Sequence, residues 1–557
     1  MLRADNKNLV RMQLGGLPLL HAIAQKLDLR NILSKYLPVH GNETISAADT
    51  MMLLIYNLAL GKSPLYKLEN WANQIDRHCI HLEQYAMDSF SDDRFGRALD
   101  KLYQSDRASL MTELVMSAIK AFNLQTDRIH NDSTSVKAFG EIPGKTKSGL
   151  ELRHGHSKDH RPDLKQLVYT LSISADGAVP IHCKIYPGNR TDDTTHIETW
   201  NTLHHLCGKS NFLYVADSKV CTDNQLDYIE SHHGRVVTIM PKTWKEVGEF
   251  KNTLRAKLVK KIEIWRRQKP GNDQEKEYFS CFEGDYKTHL RGYQIHWIFS
   301  SSKKDRDQYS REDRLKKTEA ALMGLSAKIN KYYLKEAAAI EVEFNRILKK
   351  HQVESFIVVQ LEKIEKTQTK QIGKGRPTSN TQYQLETQVS FTLKWHRNLE
   401  ALKAERRVDG VFPLLSTDGS LSAKEVLQAY KYQPMLENRF SQFKSIHNAA
   451  PLFFKSIERI EANMFAFFIS LMLQGLLERE IRNAMKKNNI TSLDIYPEDR
   501  ESKFPTTNCI MNTFDGVSRY KIMRNDIIDD EFKDALSETQ TQILGLLQMS
   551  GGNFWND

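Results

Sequence analysis

The chain has 557 residues, with 79 Lys and Arg against 69 Asp and Glu, and six cysteines. At about 100 to 200 residues per domain, this length predicts several domains or one large interrupted domain. Hydrophobic residues make up 40% and charged residues 27% of the chain, which excludes a disordered or a membrane-embedded protein. The longest strongly apolar run, Met464–Leu473, is too short to span a bilayer and predicts a buried helix.

The cysteines and the first residues indicate a cellular compartment. The cysteines are scattered without a Cys-x2-Cys pair, which argues against a zinc site and a disulfide framework and favours a reducing cytoplasm. The start, MLRADNKNLVRM, has no apolar segment followed by a small-residue cleavage site, so we expect no export signal. The net charge of +10 says little until its distribution is known.

Residues 1–120 are predicted to form a helical N-terminal domain. Ser46 followed by Asp49 resembles a capping box before the apolar run Met51–Ile55. The ordinary interpretation is a packed bundle without chemistry, and a role in binding DNA ends is a hypothesis from position alone.

Residues 121–240 change to strand patterns. Gln166–Ile173 and Val179–Tyr186 flank the turn signal Ala175-Asp176-Gly177. Phe212–Ala216 is an apolar run, and Arg235–Met240 follows a helical stretch. Strands in a meander followed by helix-linked strands predict an α/β domain with a mixed sheet.

Residues 241–410 are predicted to be a basic α+β insertion. They contain 36 Lys and Arg against 23 Asp and Glu, a net charge of +13, which leaves −3 for the rest of the chain. Lys251–Pro270 has eight cations against Glu263 alone, and this imbalance favours contact with a polyanion. For 303–350, a solvated helix surface is an equal alternative. A long helix or helical hairpin over 311–350 precedes two strands joined by the loop Gly373–Pro377.

Residues 411–490 are predicted to be the second part of the α/β domain, and 491–557 a C-terminal region. The first part offers two candidate carboxylates. Asp217 directly follows the apolar run Phe212–Ala216, at the strand end where open α/β sheets form ligand crevices. Asp132 stands in Asn131–Ser135 near an earlier strand end. The alternatives are a structural carboxylate for Asp217 and an Asx or Ser/Thr turn for Asp132.

A third carboxylate, Glu437, belongs to a polar stripe. If residues 430–444 form one helix, Tyr430, Gln433, Glu437 and Lys444 fall within an arc of about 60°, at about 100° per residue. Burying an unpaired Glu and Lys in a core is costly, and seven residues is too long a spacing for a direct ion pair. The stripe therefore predicts the lining of a polar crevice.

These residues resemble a known family. Tyr430-x2-Gln433-x3-Glu437-x6-Lys444 is similar to the Y-x2-R-x3-E-x6-K signature of bacterial insertion-sequence transposases of the DDE class, in the IS-four-like group. The resemblance continues in Asp132-Ser133-Thr134, in Val215-Ala216-Asp217-Ser218, in the segment GHSKDHRPDLKQ at 155–166, and in Gly188-Asn189-x2-Asp192. Gln433 departs from the signature Arg, so the group's phosphate clamp is in doubt at this position.

The resemblance implies an RNase H-like core and a transposase that cuts DNA at the element ends and joins the freed 3′-OH to target DNA. Asp132, Asp217 and Glu437 would be the catalytic metal ligands. Mg²⁺ prefers oxygen ligands, and two ions about 3.5 to 4 Å apart stabilise an in-line phosphoryl displacement. Asp132 is expected to bridge both ions, Asp217 to bind one and Glu437 the other, with Mn²⁺ as a substitute.

We expect DNA contacts from Tyr430, Gln433, Lys444, His156, Lys158, Arg161, Lys165 and Trp244. For the cations near Asp163, an ion pair with that aspartate is a simpler alternative to a phosphate contact. For Trp244, packing at a domain junction is an equal alternative to a DNA contact. A zinc site at His154, His156 and His160 is disfavoured because no cysteines accompany them.

The resemblance implies as partners the element's terminal repeats, target DNA and a second copy of the chain, with no membrane, in a bacterial cytoplasm and on the nucleoid when bound to DNA. Two alternatives stay open: a related metal-dependent nuclease without strand transfer, and a catalytically silent DNA-binding derivative.

Overall fold

A computed structural model describes residues 7–556 apart from 40, 42, 87–88, 140–141, 143, 156–160, 162, 192–193, 270–271, 378, 447–455, 497, 499 and 525–526. The chain divides into two compact units. Unit 1 comprises residues up to Thr238 and from Gln428 onward, and unit 2 comprises Ile239–Leu427. The boundary of unit 2 lies close to the predicted insertion, 241–410, and extends past it at the C-terminal side.

The helices are α1 (Leu17–Lys26), α2 (Leu29–Tyr36), α3 (Ala47–Leu60), α4 (Leu68–Gln74), α5 (Asp92–Gln104), α6 (Arg107–Phe122), α7 (His196–Cys207), α8 (Asp223–Ser231), α9 (Lys245–Ala256), α10 (Ser301–Ser326), α11 (Ala337–His351), α12 (Leu399–Glu405), α13 (Ala423–Tyr430), α14 (Gln433–Ser441), α15 (Ile457–Lys487), α16 (Thr507–Thr513), α17 (Glu538–Leu546) and α18 (Gly551–Trp555).

The strands are β1 (Lys7–Gln13), β2 (Arg128–Lys137), β3 (Gln166–Ser174), β4 (Pro180–Pro187), β5 (Leu213–Val215), β6 (Arg235–Ile239), β7 (Lys261–Lys269), β8 (Asn272–Phe282), β9 (Tyr286–Lys287), β10 (Gln294–Ser300), β11 (Ile357–Gln371), β12 (Tyr383–Arg397), β13 (Val411–Ser416), β14 (Leu493–Asp494), β15 (Glu501–Ser502), β16 (Ser518–Arg524) and β17 (Ile527–Lys533).

The sheet of unit 1 has the strand order β4-β3-β2-β5-β6. The pairs β2–β3 and β3–β4 are antiparallel, and the pairs β2–β5 and β5–β6 are parallel. The turn between β3 and β4 contains Gly177 at φ +83°, a conformation that favours glycine. This mixed five-strand arrangement is that of an RNase H-like core, so the predicted fold class is confirmed.

A buried helix, α15, forms the centre of unit 1. It packs against α1, α3 and α5 on one side and against β4 on another, and Phe467, Phe468 and Leu471 are almost fully buried. Within the described residues, α15 alone is long and apolar enough to cross a membrane, and 94% of its most apolar window is buried inside the protein. That burial is typical of a core helix.

Ser46 begins α3 as the sequence pattern indicates, because its Oγ accepts a hydrogen bond from the Asp49 N–H at 2.9 Å. The N-terminal region, however, is not purely helical. Its first described residues form β1, which pairs antiparallel with β16 of the C-terminal region. A strand that finds its partner about 510 positions away has no local sequence signal.

Unit 2 combines strands β13, β10, β8 and β7 in that order, with β9 beside β10, and the helices α9 to α12. A second apolar cluster includes Leu315, Leu322 and Ile340 from α10 and α11 and Leu393 from β12. The predicted helical hairpin is therefore α10 and α11. The strands β11 and β12 form a separate two-stranded ribbon, and the start of β11 and the end of β12 pack on this cluster.

The single helix predicted across residues 430–444 is wrong. Helix α13 ends at Tyr430, α14 begins at Gln433, and a π-helical turn follows at Gln442–Ile446. Pro434 stands at the start of α14. Its ring has no N–H and clashes with the carbonyl four residues earlier, so a continuous helix cannot pass through it. Lys444 therefore does not share a regular helical stripe with Glu437.

Candidate active site

Two carboxylates lie at matching positions of neighbouring parallel strands. The register of β2 and β5 pairs His130 with Val215, and Asp132 and Asp217 each follow two residues later. Neighbouring strands are about 4.8 Å apart, so the backbone positions of the two aspartates are adjacent, although Asp132 lies within β2 and not near its end as predicted. Asp132 is half-buried between buried neighbours on β2, and the Asp217 side chain is 41% exposed. Both carboxylates can reach solvent and a ligand.

A histidine lies beside Asp217. The Asp217 carboxylate accepts a hydrogen bond from the Lys219 N–H at 3.0 Å, and His196 Nε2 lies 3.9 Å from its Oδ1. His196 Nδ1 lies 3.0 Å from the hydroxyl of buried Tyr214. Burial raises the pKa of Tyr214, and the negative charges of Asp217 and Asp132 raise it further. A buried histidine, itself in contact with a buried tyrosine, thus lies next to this carboxylate.

Glu437, from α14, faces the same space. The pKa of Tyr430 is raised to about 12, first by burial and then by the negative charges of Asp217, Glu437 and Asp132. The carboxylates of Asp132, Asp217 and Glu437 are therefore near enough for their charges to act on one phenol. Glu437 itself is exposed. The three carboxylates give the surroundings of Tyr430 a negative potential.

The donor set suits Mg²⁺, because all three groups offer carboxylate oxygens. Among the described residues, no three His, Cys, Asp or Glu side chains are close enough to hold an ion as one group. In the part of the chain that the structure describes, these three carboxylates are therefore not close enough to form one closed set of metal ligands. Since Glu437 is exposed, its side chain is free of core packing that would fix its rotamer.

Gln433 contacts the strand that carries Asp132. Its Oε1 lies 3.4 Å from His130 Nδ1, and its Nε2 donates to the Asn131 carbonyl at 3.4 Å. Burial lowers the pKa of His130 to about 3, so the ring is neutral, and it packs on Tyr432 with ring centroids 4.9 Å apart. The amide at position 433 therefore joins α14 to β2 one residue before Asp132.

A buried ion pair holds the helix of Glu437 in place. Arg439 and Glu478 are 2.9 Å apart, and each side chain is only 3% exposed. Arg439 Nε donates to the Ala178 carbonyl at 2.9 Å and Nη2 to the Gly177 carbonyl at 3.3 Å. Burial raises the pKa of Glu478, but Arg439 and the other positive neighbours outweigh it, so the net shift is downward. Two residues after Glu437, α14 is thus anchored to α15 and to the β3–β4 turn.

The remaining predicted DNA contacts are spread over both units. Arg161 makes two hydrogen bonds to Asp163, at 2.8 and 2.7 Å, which is the simpler pairing considered for this segment. Lys165 is exposed, Lys444 is half-buried, and Trp244 is half-buried at the start of α9 in unit 2. His156 and Lys158 lie outside the described residues.

Sequence reasoning missed His196, His130 and the Arg439–Glu478 pair. His196 stands at the beginning of α7, and nothing nearby in sequence indicates its proximity to Asp217. Arg439 follows Glu437 by two residues, and a charged residue there looks like an ordinary surface position. Its buried partner is 39 residues away, on a helix whose apolar pattern gives no sign that this Glu is buried.

Comparison with known proteins gives little further information. Residues 10–116 match a family described as a domain of unknown function, DUF4277. No curated protein matches the chain. A cryo-EM structure of the piggyBac transposase synaptic complex with hairpin DNA is similar over 53% of this chain and 63% of that one, at 10% identity and a TM-score of 0.27. The chain therefore spans less than two thirds of that transposase.

Proposed function

We propose that this chain is a DDE-class transposase, in which Asp132, Asp217 and Glu437 form the catalytic centre for cutting and joining DNA. The observation that carries the proposal is the matching position of Asp132 and Asp217 on and after neighbouring parallel strands of an RNase H-like sheet, and the charges of both aspartates and of Glu437 act on Tyr430. Asp132 and Asp217 were selected from strand patterns and Glu437 from its spacing on a predicted helix, and the three residues come from separate parts of the fold.

The aspartates and the glutamate would hold the divalent ions through their oxygens. Bound Mg²⁺ would supply an activated oxygen nucleophile and stabilise the leaving oxygen of the phosphodiester. Asp132 is held by its strand, and its Oδ1 accepts the Ser133 N–H at 2.7 Å. Asp217 is oriented by the Lys219 N–H and His196. Each aspartate thus has a backbone N–H that favours one orientation of its carboxylate.

Tyr430 contributes a neutral hydroxyl at the working pH, because its pKa is about 12. A neutral phenol can donate a hydrogen bond to a phosphate oxygen of the DNA or to a carboxylate. Gln433 keeps α14 beside β2 in place of the signature Arg, so its role is positional and it adds no positive charge. The clamp on DNA phosphates would then depend on Lys444 and on cations elsewhere in the chain.

Cleavage and joining assays test this proposal. The purified chain, Mg²⁺ and a duplex carrying the repeats that flank its gene should give cut ends with a free 3′-OH and joined products. Asp132→Asn should abolish both products while DNA binding persists. Asp127→Asn is the matched control, because Asp127 precedes β2 on an exposed surface and pairs with Lys209. Cutting without joining would favour the related nuclease, and binding without cutting by the unaltered chain would favour the silent derivative.

A further inference from the structure

Unit 2 carries a two-stranded ribbon that extends away from its apolar cluster. Strands β11 and β12 have 15 residues each and pair over their whole length, which gives a ribbon about 50 Å long at about 3.4 Å per residue. Beyond the cross-strand pair Glu365–Val389 lie residues 366–388, which we call the arm. Its described residues are exposed, except for half-buried Gln371 and Thr381.

The arm lacks the packing that normally stabilises strands. An isolated two-stranded hairpin is marginally stable in water, and a further layer is needed to hold it. Ile372, Tyr383 and Leu385 are 52%, 53% and 75% exposed. A ribbon this long, with apolar side chains in solvent, indicates a surface that a partner covers.

The composition of the arm indicates the kind of partner. It has three Lys and one Arg against one Glu, and 12 of its 23 residues are Gln, Thr, Ser or Asn. Lys370 pairs with Glu386 at 2.7 Å, while Lys374, Arg376 and Pro377 stand together at the exposed tip. Such a surface combines cations for phosphates with amides and hydroxyls for base edges.

The two faces of the arm differ in charge. One face, which we call the amide face, is formed by the cross-strand pairs Lys366–Gln388, Gln368–Glu386 and Lys370–Gln384. The opposite face has Thr367, Thr369 and Gln371 across from Thr387, Leu385 and Tyr383, and carries no formal charge. The amide face therefore contains the charged strand positions of the arm, with the basic tip at its end.

We infer that the arm binds in a groove of duplex DNA, with the amide face toward the bases and the basic tip against the phosphates. The inference rests on the proposed function for the presence of DNA. The major groove is about 12 Å wide and admits a two-stranded ribbon. A second copy of the chain is a poorer partner, because two arms of the same positive charge repel each other.

Salt-dependent DNA binding tests the inference. The probe is a fluorescein-labelled duplex of about 30 base pairs and mixed sequence. With two phosphate charges per base pair and about 1.7 Å of helix axis per charge, the duplex is about 100 Å long and exceeds the arm. Titrations in EDTA measure the slope of log Kd against log salt without any catalysis. Lys374→Gln/Arg376→Gln should lower that slope by about 2, since each lost phosphate contact removes about 0.9.

A charge-matched control separates the arm from general basicity. Lys349→Gln/Lys350→Gln removes two exposed cations from the end of α11 in the same unit and should leave the slope unchanged. A second variant joins Glu365 to Val389 through Asn-Gly, which suits a two-residue hairpin turn, and it deletes the whole arm. Its slope should fall by at least about 2, because both tip cations are lost with it, while its thermal transition stays within a few degrees of the unaltered chain.

An arm-deleted chain that binds duplex DNA with an unchanged slope would overturn the inference. If that chain also loses self-association in sedimentation velocity, the arm is a contact between copies. Either result leaves Mg²⁺-dependent cleavage untouched. A chain that binds DNA through the arm but never cuts would instead refute the proposed function alone.

Discussion

The buried pair Arg439–Glu478 gives a prediction whose size follows from its contacts. Arg439→Met removes the ion pair at 2.9 Å and the donors to Ala178, Gly177 and Gln442. Breaking a buried pair by removing one partner costs about 3 to 5 kcal/mol. Glu478 keeps Arg482 at 3.3 Å and the Thr507 N–H at 2.8 Å. We therefore expect the lower end, about 3 kcal/mol.

The double variant Arg439→Met/Glu478→Gln should be less destabilised than the sum of the two single variants. It removes both charges of the pair, and the introduced amide oxygen would still accept the Thr507 N–H. What remains lost is the hydrogen bonding of the two turn carbonyls and of Gln442 Oε1, at about 0.5 to 1.5 kcal/mol each. The coupling energy of the cycle should therefore exceed about 1 kcal/mol.

Hydrogen exchange of peptides from α15 measures these changes, because that helix forms the centre of unit 1 and its opening reports unfolding there. The opening free energy should fall in the single variants and partly recover in the double variant. Single-variant losses below about 1 kcal/mol, or losses that add within about 0.5 kcal/mol, would refute the reasoning that the pair anchors α14.

Three further predictions concern other side chains of unit 1. Burial lowers the pKa of His21 to about 3 and that of His182 to about 4, so both stay neutral in the fold while they titrate near 6.5 when unfolded. The two neutral rings stabilise the fold fully above about pH 6.5, and this stabilisation is lost as pH falls toward about 4. The free energy of unfolding should fall by up to about 1.4 kcal/mol per pH unit for each ring. Urea unfolding at stepped pH should show that His182→Asn removes one proton from this dependence. Gln433→Ala should cost about 0.5 to 1.5 kcal/mol in urea unfolding, and the same loss in a His130→Ala background would show that the two side chains do not interact. Tyr430→Phe should leave the fold unchanged but slow cleavage, measured by single-turnover kinetics. An unchanged rate would remove the phenol from the mechanism.

Much of the site could be predicted because it depends on local rules. Asp217 follows its strand as predicted, whereas Asp132 was expected near a strand end and lies within β2. Parallel register places the two aspartates at matching positions. The helix of Glu437 was predicted to be continuous, although Pro434 interrupts it, since side-chain spacing was weighed above backbone sterics. His196 and Glu478 were missed because their contacts connect residues 21 to 39 positions apart, through packing that no periodicity reveals.

The charge distribution shows the same limit. Lys251–Pro270 looked like a free basic stretch, but five of its eight cations form ion pairs in the fold. Lys260, Arg267 and Lys269 pair with Glu283, Glu277 and Glu275, and the other two, Arg255 and Arg266, also have Glu partners. The charge of the arm persists because only Glu386 accompanies its four cations. Sequence gives the sum of charges, and strand pairing decides which of them stay available.

The central claim is that Asp132, Asp217 and Glu437 act together on DNA. The most direct measurement is single-turnover cleavage of a duplex bearing the flanking repeats, with Mg²⁺, by the unaltered chain, Asp132→Asn and the control Asp127→Asn. We expect cut ends with a 3′-OH from the unaltered chain and the control, and none from Asp132→Asn despite equal DNA binding. Equal cleavage by Asp132→Asn would show that Asp132 is not a catalytic residue.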